Sequence, residues 1–413
     1  MSNSTPGHSV PAVNWDSVYA GRTARMKRSA IRELLKLTMQ PDIISFAGGL
    51  PAPEMFPVRA FEEACQFILR NEGKAALQYG PTEGYPALKQ YLVERMNKYG
   101  VPAEEHNILL TNGSQQALDL IGKIMVDEQC IVCTERPTYL GAIQAWNAYD
   151  ARYCTVPLDD DGMVVEQLPE VIERYRPKFV YVLPNFHNPA GVSLSEERRH
   201  QLVEIVIKYD VFIVEDDPYG ELRFEGEDLS PLVTLAKERT LYLCTFSKTL
   251  SPGIRLGWIV APQVVISKLV QAKQGTDLHT STFLQMVAND ICQRGILRQH
   301  VKRIRATYKE RRDTMLDAMA EFFPDEVRWT RPAGGLFLWV KTPEALNTVE
   351  LLQTAVAEKV AYVPGNAFYP DGNPEGLHTM RLNFSYCPPE IIAEGIRRLG
   401  VALKKALITP YRP

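Results

Sequence analysis

The residues best suited to chemistry gather around one lysine. Lys248 lies in Thr245-Phe246-Ser247-Lys248-Thr249-Leu250-Ser251-Pro252-Gly253-Ile254-Arg255, between the apolar runs Leu241-Tyr242-Leu243-Cys244 and Leu256-Gly257-Trp258-Ile259-Val260-Ala261. Both runs have strand character. A lysine at the tip of a buried strand loses hydration, which disfavours its charged form. The neutral amine is then a nucleophile toward carbonyl carbon. The hydroxyls of Thr245 and Ser247, with Arg255, supply what a phosphate needs beside it. Taken alone, the same loop reads equally well as an ordinary polar turn.

Other candidates stand at the ends of other apolar runs. Val211-Phe212-Ile213-Val214 ends at Glu215-Asp216-Asp217-Pro218-Tyr219. Adjacent carboxyls at a buried strand end require a cation nearby, unless they cap a turn in water. A strand over 178–183 ends at Pro184-Asn185-Phe186-His187-Asn188-Pro189-Ala190-Gly191. A strand over 107–112 leads into Gly113-Ser114-Gln115-Gln116 and a helix, so backbone N–H groups there form an anion site. The Gly-Lys-Ser/Thr of a Walker loop is missing. Gly48-Gly49 lets the backbone approach a neighbour closely. Arg381 alternates with Met380 and Leu382 in a strand and faces away from them. A solvated arginine and an anion clamp both fit that position.

The elements that must position these groups follow an α/β pattern. The spacing of Ile31, Leu34 and Leu35 predicts a helix over 29–38, capped by Ser29, with Arg32 beside its apolar face. Helices are expected over 58–71 and 87–99, separated by a turn-rich segment that carries Tyr79. Strands and helices then alternate at βαβ spacing, with polar clusters at successive strand ends, the edge where open α/β sheets bind ligands. From about residue 298 the pattern changes to an α+β module that opens on a long basic helix over 301–322.

Bulk composition narrows the function. Of 413 residues, 45% are hydrophobic and 23% charged, which suits an ordinary soluble core. The net charge of −3 leaves no basic field for nucleic acid or an anionic membrane. No apolar run reaches the ~18 residues of a membrane helix. Residues 1–13 lack the segments of a signal peptide and are expected to be disordered. The seven cysteines lie mostly in apolar runs, as reduced thiols in a cytoplasmic protein do. Cys130 and Cys133 form a C-x-x-C in a strand that points them to opposite faces, with no second pair to complete a metal site.

The ordered set Asn188-Pro189-Ala190-Gly191, Asp216-x-x-Tyr219, Thr245-x-Ser247-Lys248, Arg255 and Arg381 resembles the fold-type I pyridoxal-phosphate aminotransferases over residues 25–405. Ile31-Arg32-Glu33-Leu34-Leu35, Phe46-Ala47-Gly48-Gly49-Leu50-Pro51, Gly113-Ser114-Gln115-Gln116 and 271–279 resemble their α-aminoadipate/kynurenine branch, with the bacterial α-aminoadipate aminotransferases most alike. The chain departs from that pattern in having Ala190 where Thr is usual and Glu128-Gln129 where Pro-Gly is common.

The resemblance implies a mostly parallel seven-stranded sheet sandwiched by helices, plus a smaller α+β domain. Its boundaries are an arm and lid helix over 14–47, a large domain over 48–297 and a small domain over 298–413. It implies pyridoxal 5'-phosphate as cofactor and a ping-pong transfer of an amino group to 2-oxoglutarate. Lys248 would form the Schiff base and carry the proton. Asp216 would pair with the ring nitrogen. Tyr219 and Asn188 would bond the ring's phenolic oxygen, and Tyr139 would stack on its face. Ser114, Gln115, Thr245, Ser247 and Arg255 would hold the phosphate, with Tyr79 reaching the neighbour's phosphate in a homodimer. The segment 277–280 would lie at that interface. Arg381 would clamp the α-carboxylate. Gly49 and Asn188 would border the substrate, and Arg32 on a mobile helix would meet an acidic side chain. Donors would be 2-aminoadipate-like, aromatic or branched-chain amino acids. A lyase or decarboxylase on the same fold is the alternative. A cofactor-sensing regulator is more remote, since only about 25 residues precede the resemblance, too few for a DNA-binding module.

Overall fold

The computed structural model describes residues 13–26 and 42–408. Residues 1–12 of the segment expected to be disordered, and the helix expected over 29–38 with Arg32, lie outside them. In chain order the strands are β1 (Ile44–Ser45), β2 (Ile108–Thr111), β3 (Ile131–Arg136), β4 (Arg152–Asp159), β5 (Gly162–Met163), β6 (Phe179–Val182) and β7 (Phe212–Asp216). They continue as β8 (Thr240–Thr245), β9 (Gly257–Val260), β10 (Arg328–Trp329), β11 (Phe337–Lys341), β12 (Val360–Ala361), β13 (Val363–Pro364) and β14 (Thr379–Asn383).

The main sheet has the order β2-β9-β8-β7-β6-β3-β4-β5. Its inner pairs β8/β7, β7/β6, β6/β3 and β3/β4 are parallel, and β9 runs against both of its neighbours. The seven strands expected are extended by β5, a two-residue return that pairs only with the end of β4. These strands are apolar on both faces because both faces are covered. Leu109, Tyr181, Val214, Leu243 and Ile259 pack on the helices Ser114–Met125, Leu140–Asn147 and Gln263–Gln274. Near β2, β8 and β9, Leu110, Tyr242 and Trp258 on the opposite face meet helices Val58–Ala76, Pro86–Lys98 and Thr282–Gln293. Each large apolar side chain so enclosed stabilises the fold by about 1.5–3 kcal/mol. Gln129, standing where the resembled family commonly has glycine, takes φ +66°, a left-handed conformation that disfavours a side chain.

A second, antiparallel sheet of order β10-β11-β14-β13 has its own core. It packs under the helices Ile296–Phe322 and Pro389–Ile408. The first of these begins five residues before the expected start at 301, because Gly295 ends the preceding helix at φ +72°. In β14, Met380 and Leu382 enter this core while Arg381 faces the other way, beside Trp339 and Val363.

The short strand β1 pairs in parallel with β12, more than three hundred residues later in the chain. The strap that follows is tied on all sides. Phe46 N–H donates to Ala361 O at 2.8 Å, and Phe46 O accepts from Asn383 N–H at 2.9 Å. The Tyr308 hydroxyl accepts from Ala52 N–H at 3.2 Å.

Candidate active site

Lys248 stands in the turn that follows β8, after Phe246 and Ser247. The turn that holds it is anchored by Phe246, which is buried against Trp258 with ring centroids 4.9 Å apart. Leu250 and Ser251 both return their N–H groups to Phe246 O. The Lys248 amine is thus projected from a fixed turn and donates to Gly49 O at 2.9 Å. Burial, then the Arg381 and Arg255 cations, lower its pKa to about 8. A usable fraction of neutral amine follows near physiological pH.

Two strands away, β6 carries Tyr181, whose hydroxyl donates to Asp216 Oδ2 at 2.8 Å. The other oxygen, Oδ1, is buried without a hydrogen-bond partner among the described residues. Burial pushes the Asp216 carboxyl up to about 7; the Tyr181 bond opposes this and the neighbouring Asp217 adds to it. A carboxylate left half-bonded in a dry site has room for one cationic N–H, which would bring its pKa back down.

Arg381 is 2% exposed and reaches the same cavity from β14. It donates to Asn188 Oδ1 and Ala47 O, both at 2.8 Å, while Nε has no partner among the described residues. Its guanidinium lies over Phe337 at 4.3 Å and Phe368 at 5.1 Å from the ring centroids. Burial lowers its pKa to about 10, still leaving it a cation at neutral pH. Asn188 also donates weakly to the Tyr219 hydroxyl at 3.5 Å. Burial raises the Tyr219 and Tyr139 phenols, Tyr139 to about 12.

The remaining wall is a cradle of donors. Helix Ser114–Met125 opens with no side-chain cap, so its first N–H groups are unclaimed by a capping residue. Gly113 sits at φ +74°, where a Cβ would meet Arg255 Nη2 at 2.6 Å; at Gly257 it would meet Ser114 N at 2.8 Å. These two glycines let the helix start, Arg255 and β9 converge. Thr245 Oγ1 accepts from Ser247 N–H at 3.1 Å and donates to Leu256 O at 2.9 Å, which fixes both hydroxyls at the same edge.

One cavity of about 370 Å³ joins Gly49, Ser114, Gln115, Tyr139, Asn188, Asp216, Tyr219, Thr245, Ser247, Lys248, Arg255 and Arg381. Tyr79 is not among its walls: it is 78% exposed and meets His279 edge-on at 5.8 Å. Arg32 lies outside the described residues. Tyr181 and Phe337 were missed in the sequence. Tyr181 reads as a plain strand residue, and only the offset between β6 and β7 brings its hydroxyl to Asp216. Phe337 follows the Gly334-Gly335 pair, a signal that a backbone passes close to something there. Among the described residues, no cation accounts for the Asp216–Asp217 pair directly. Asp217 is satisfied by Asn185 Nδ2, the Tyr242 hydroxyl and Gly220 N–H at 2.9–3.0 Å.

The sequence matches aminotransferase class I and II over residues 45–399. The chain belongs to that family. It is 46% identical to aromatic-amino-acid aminotransferase 1 of Thermococcus litoralis, covering 96% of this chain and 97% of that one. It is 44% identical to the 2-aminoadipate transaminase of Thermus thermophilus, covering 96% and 98%. The crystal structure of the α-aminoadipate aminotransferase LysN from Thermus thermophilus, complexed with N-(5'-phosphopyridoxyl)-L-leucine, superposes with a TM-score of 0.90 at 42% identity over 96% of this chain and 100% of that one. This aminotransferase is an enzyme of the fold-type I class, and its cofactor is pyridoxal 5'-phosphate. The uncapped helix start beside Arg255, the half-bonded Asp216 and the depressed amine of Lys248 fit that cofactor.

Proposed function

We propose that this aminotransferase transfers the amino group of a 2-aminoadipate-like L-amino acid, and also of aromatic or branched-chain amino acids, to 2-oxoglutarate. The single observation that carries the site assignment is the convergence of the Lys248 amine, the open Asp216 oxygen and the buried Arg381 on one cavity. The relatives named for aromatic amino acids and for 2-aminoadipate support the donor range.

The bound cofactor supplies a reactive carbonyl and an electron-withdrawing ring. Asp216 Oδ1 would hold the ring nitrogen's proton, and the Tyr181 hydroxyl bond would keep Asp216 ionised and oriented. Ser114, Gln115, Thr245, Ser247 and Arg255 would hold the phosphate. Tyr139 would cover the ring, and Tyr219 with Asn188 would bond its phenolic oxygen. Lys248 Nζ would hold the cofactor at its carbonyl carbon and, as the free amine, would take and return the substrate's Cα proton as a general base. Arg381 grips the α-carboxylate with two parallel N–H donors, exchanging Ala47 O and Asn188 for the substrate. Gly49 borders the substrate, since a Cβ there would press on Phe337 at 3.2 Å. Arg32 supplies the cation for an acidic side chain.

The chain works as a cytoplasmic homodimer with composite sites. Exposed Leu77 and Tyr79, at 74% and 78%, support a covering partner there, and Tyr79 reaches the partner's phosphate. His279 stands beside Tyr79, which supports placing 277–280 at the same interface. Unpaired cysteines support a reducing compartment. The two separate sheets support a division into an arm over 14–47, a large domain over 48–297 and a small domain over 298–413.

Assay of the purified enzyme with a panel of amino donors against 2-oxoglutarate tests this reading. 2-Aminoadipate should rank with the best donors by kcat/KM. A panel in which it is inactive while other donors turn over removes the substrate proposal.

A further inference from the structure

A second cavity, of about 430 Å³, lies between the helices Pro86–Lys98 and Ile296–Phe322, outside the site described above. That volume is in the range of small-molecule sites. Its charge is unusual for this chain, which carries a net −3 overall. Arg298, Lys302 and Arg305 share one face of the long helix at spacings of four and three, and Lys98 faces them from the other helix.

Among the described residues, none of these four cations has a carboxylate within 4.0 Å. Arg305 donates to the backbone carbonyl of Glu221 and to no side chain among them. The cavity does contain the Glu221 carboxylate, but Arg95 and the Tyr99 hydroxyl already bind it. Glu94 is the other carboxylate on the wall, and it is exposed. Like charges at one-turn spacing repel, so this arrangement by itself costs stability. A multiply charged anion would remove that repulsion and bond several donors at once.

We propose that this cavity binds a small polyanion, one carrying two or more phosphate or carboxylate groups. The site is independent of the transamination reading, because binding is measured without turnover.

The test is calorimetric titration of the pyridoxal-phosphate-loaded enzyme at low salt with tripolyphosphate and, separately, with citrate. Loading keeps the cofactor's own phosphate site filled. Saturable binding of either probe, one molecule per chain, is expected, and the stronger probe identifies the phosphate or carboxylate class. The double variant R298A/K302A changes two exposed helix positions to the best helix former, so the fold and the aminotransferase activity should persist. Its affinity should drop at least about tenfold. R303A, which alters an exposed cation lining a different cavity, should bind as the parent does. The proposal is overturned if neither probe binds saturably, if R298A/K302A binds as tightly as the parent, or if R303A weakens binding equally.

Discussion

Two buried charged clusters stand side by side at the end of β7, and they differ in saturation. In one, Arg199 donates to Leu194 O, Pro184 O, Ser230 O and Asn185 Oδ1 at 2.8–2.9 Å. Glu215 accepts from Leu232 and Val233 N–H, both at 2.9 Å, and Asp217 from three further donors. No side-chain polar atom of Arg199, Glu215 or Asp217 is left without a partner. In the other, Asp216 Oδ1 and Arg381 Nε are orphaned among the described residues, and Lys248 has a single carbonyl. A closed network holds a fold; an open one is ready for a ligand. Adjacent residues, Asp216 and Asp217, thus serve different ends according to the partners their strand brings them.

The largest expected effect breaks the open cluster. Lys248→Ala should lower kcat by at least roughly a thousandfold, read in single-turnover assays with the cofactor in excess. Retention of near-parental turnover would remove Lys248 from the chemistry. Next, Arg199→Ala should cost about 3–5 kcal/mol of stability, because it strands the acceptors Leu194 O, Pro184 O, Ser230 O and Asn185 Oδ1. Arg381→Ala should leave urea stability within about 1 kcal/mol of the parent while kcat/KM falls roughly a hundredfold. Equal destabilisation by both arginine changes would erase the distinction between the clusters.

Arg32→Ala tests the substrate side. The KM for glutamate and 2-aminoadipate should rise by roughly 30–150-fold with leucine spared, the value of one charged hydrogen bond. Equal losses for acidic and apolar donors would exclude a side-chain contact.

The smallest effects are pH-dependent. The folded pKa of Asp216, about 7, lies above its ordinary 3.8, so the folded protein binds more protons between those values. Stability of the cofactor-free enzyme should therefore fall as pH rises from about 4 to about 7. Glu215, raised to about 7 by burial and by Asp217, contributes the same trend, so Asp216→Asn should flatten the curve only in part. Identical curves for the variant and the parent would mean that Asp216 ionises freely. Tyr181→Phe removes a bond that lowers the Asp216 pKa. The acidic limb of kcat/KM should move to higher pH, with roughly tenfold loss at neutrality.

The open cluster was largely legible in the sequence, and the closed one was not. Lys248, Asp216 and Asn188 announce themselves as polar residues at the ends of apolar runs, where alternation stops. Arg381 declares its direction by alternating with Met380 and Leu382. Arg199, by contrast, sits in Glu-Glu-Arg-Arg-His, which reads as a solvated helix face. Its burial depends on the loops at Pro184 and Ser230 folding over it, and no local pattern encodes that. Tyr181 was illegible for a related reason. A tyrosine inside an apolar strand looks like core until the neighbouring strand's register is known. The sheet's existence was readable from βαβ spacing, but the pairing of β1 with β12 was not, since two residues carry no periodicity.

That pairing has a consequence for biosynthesis. The strap from Phe46 to Gly49 receives the Arg381 guanidinium at Ala47 O and the Lys248 amine at Gly49 O. Its own donors and acceptors come from Ala361 and Asn383. A nascent chain therefore makes this strap more than three hundred residues before its partners, and cannot dock it until translation has passed β14. Every ribosome-bound intermediate short of that point lacks the ceiling over its lysine, so Lys248 gains its carbonyl partner only after that long-range contact has closed.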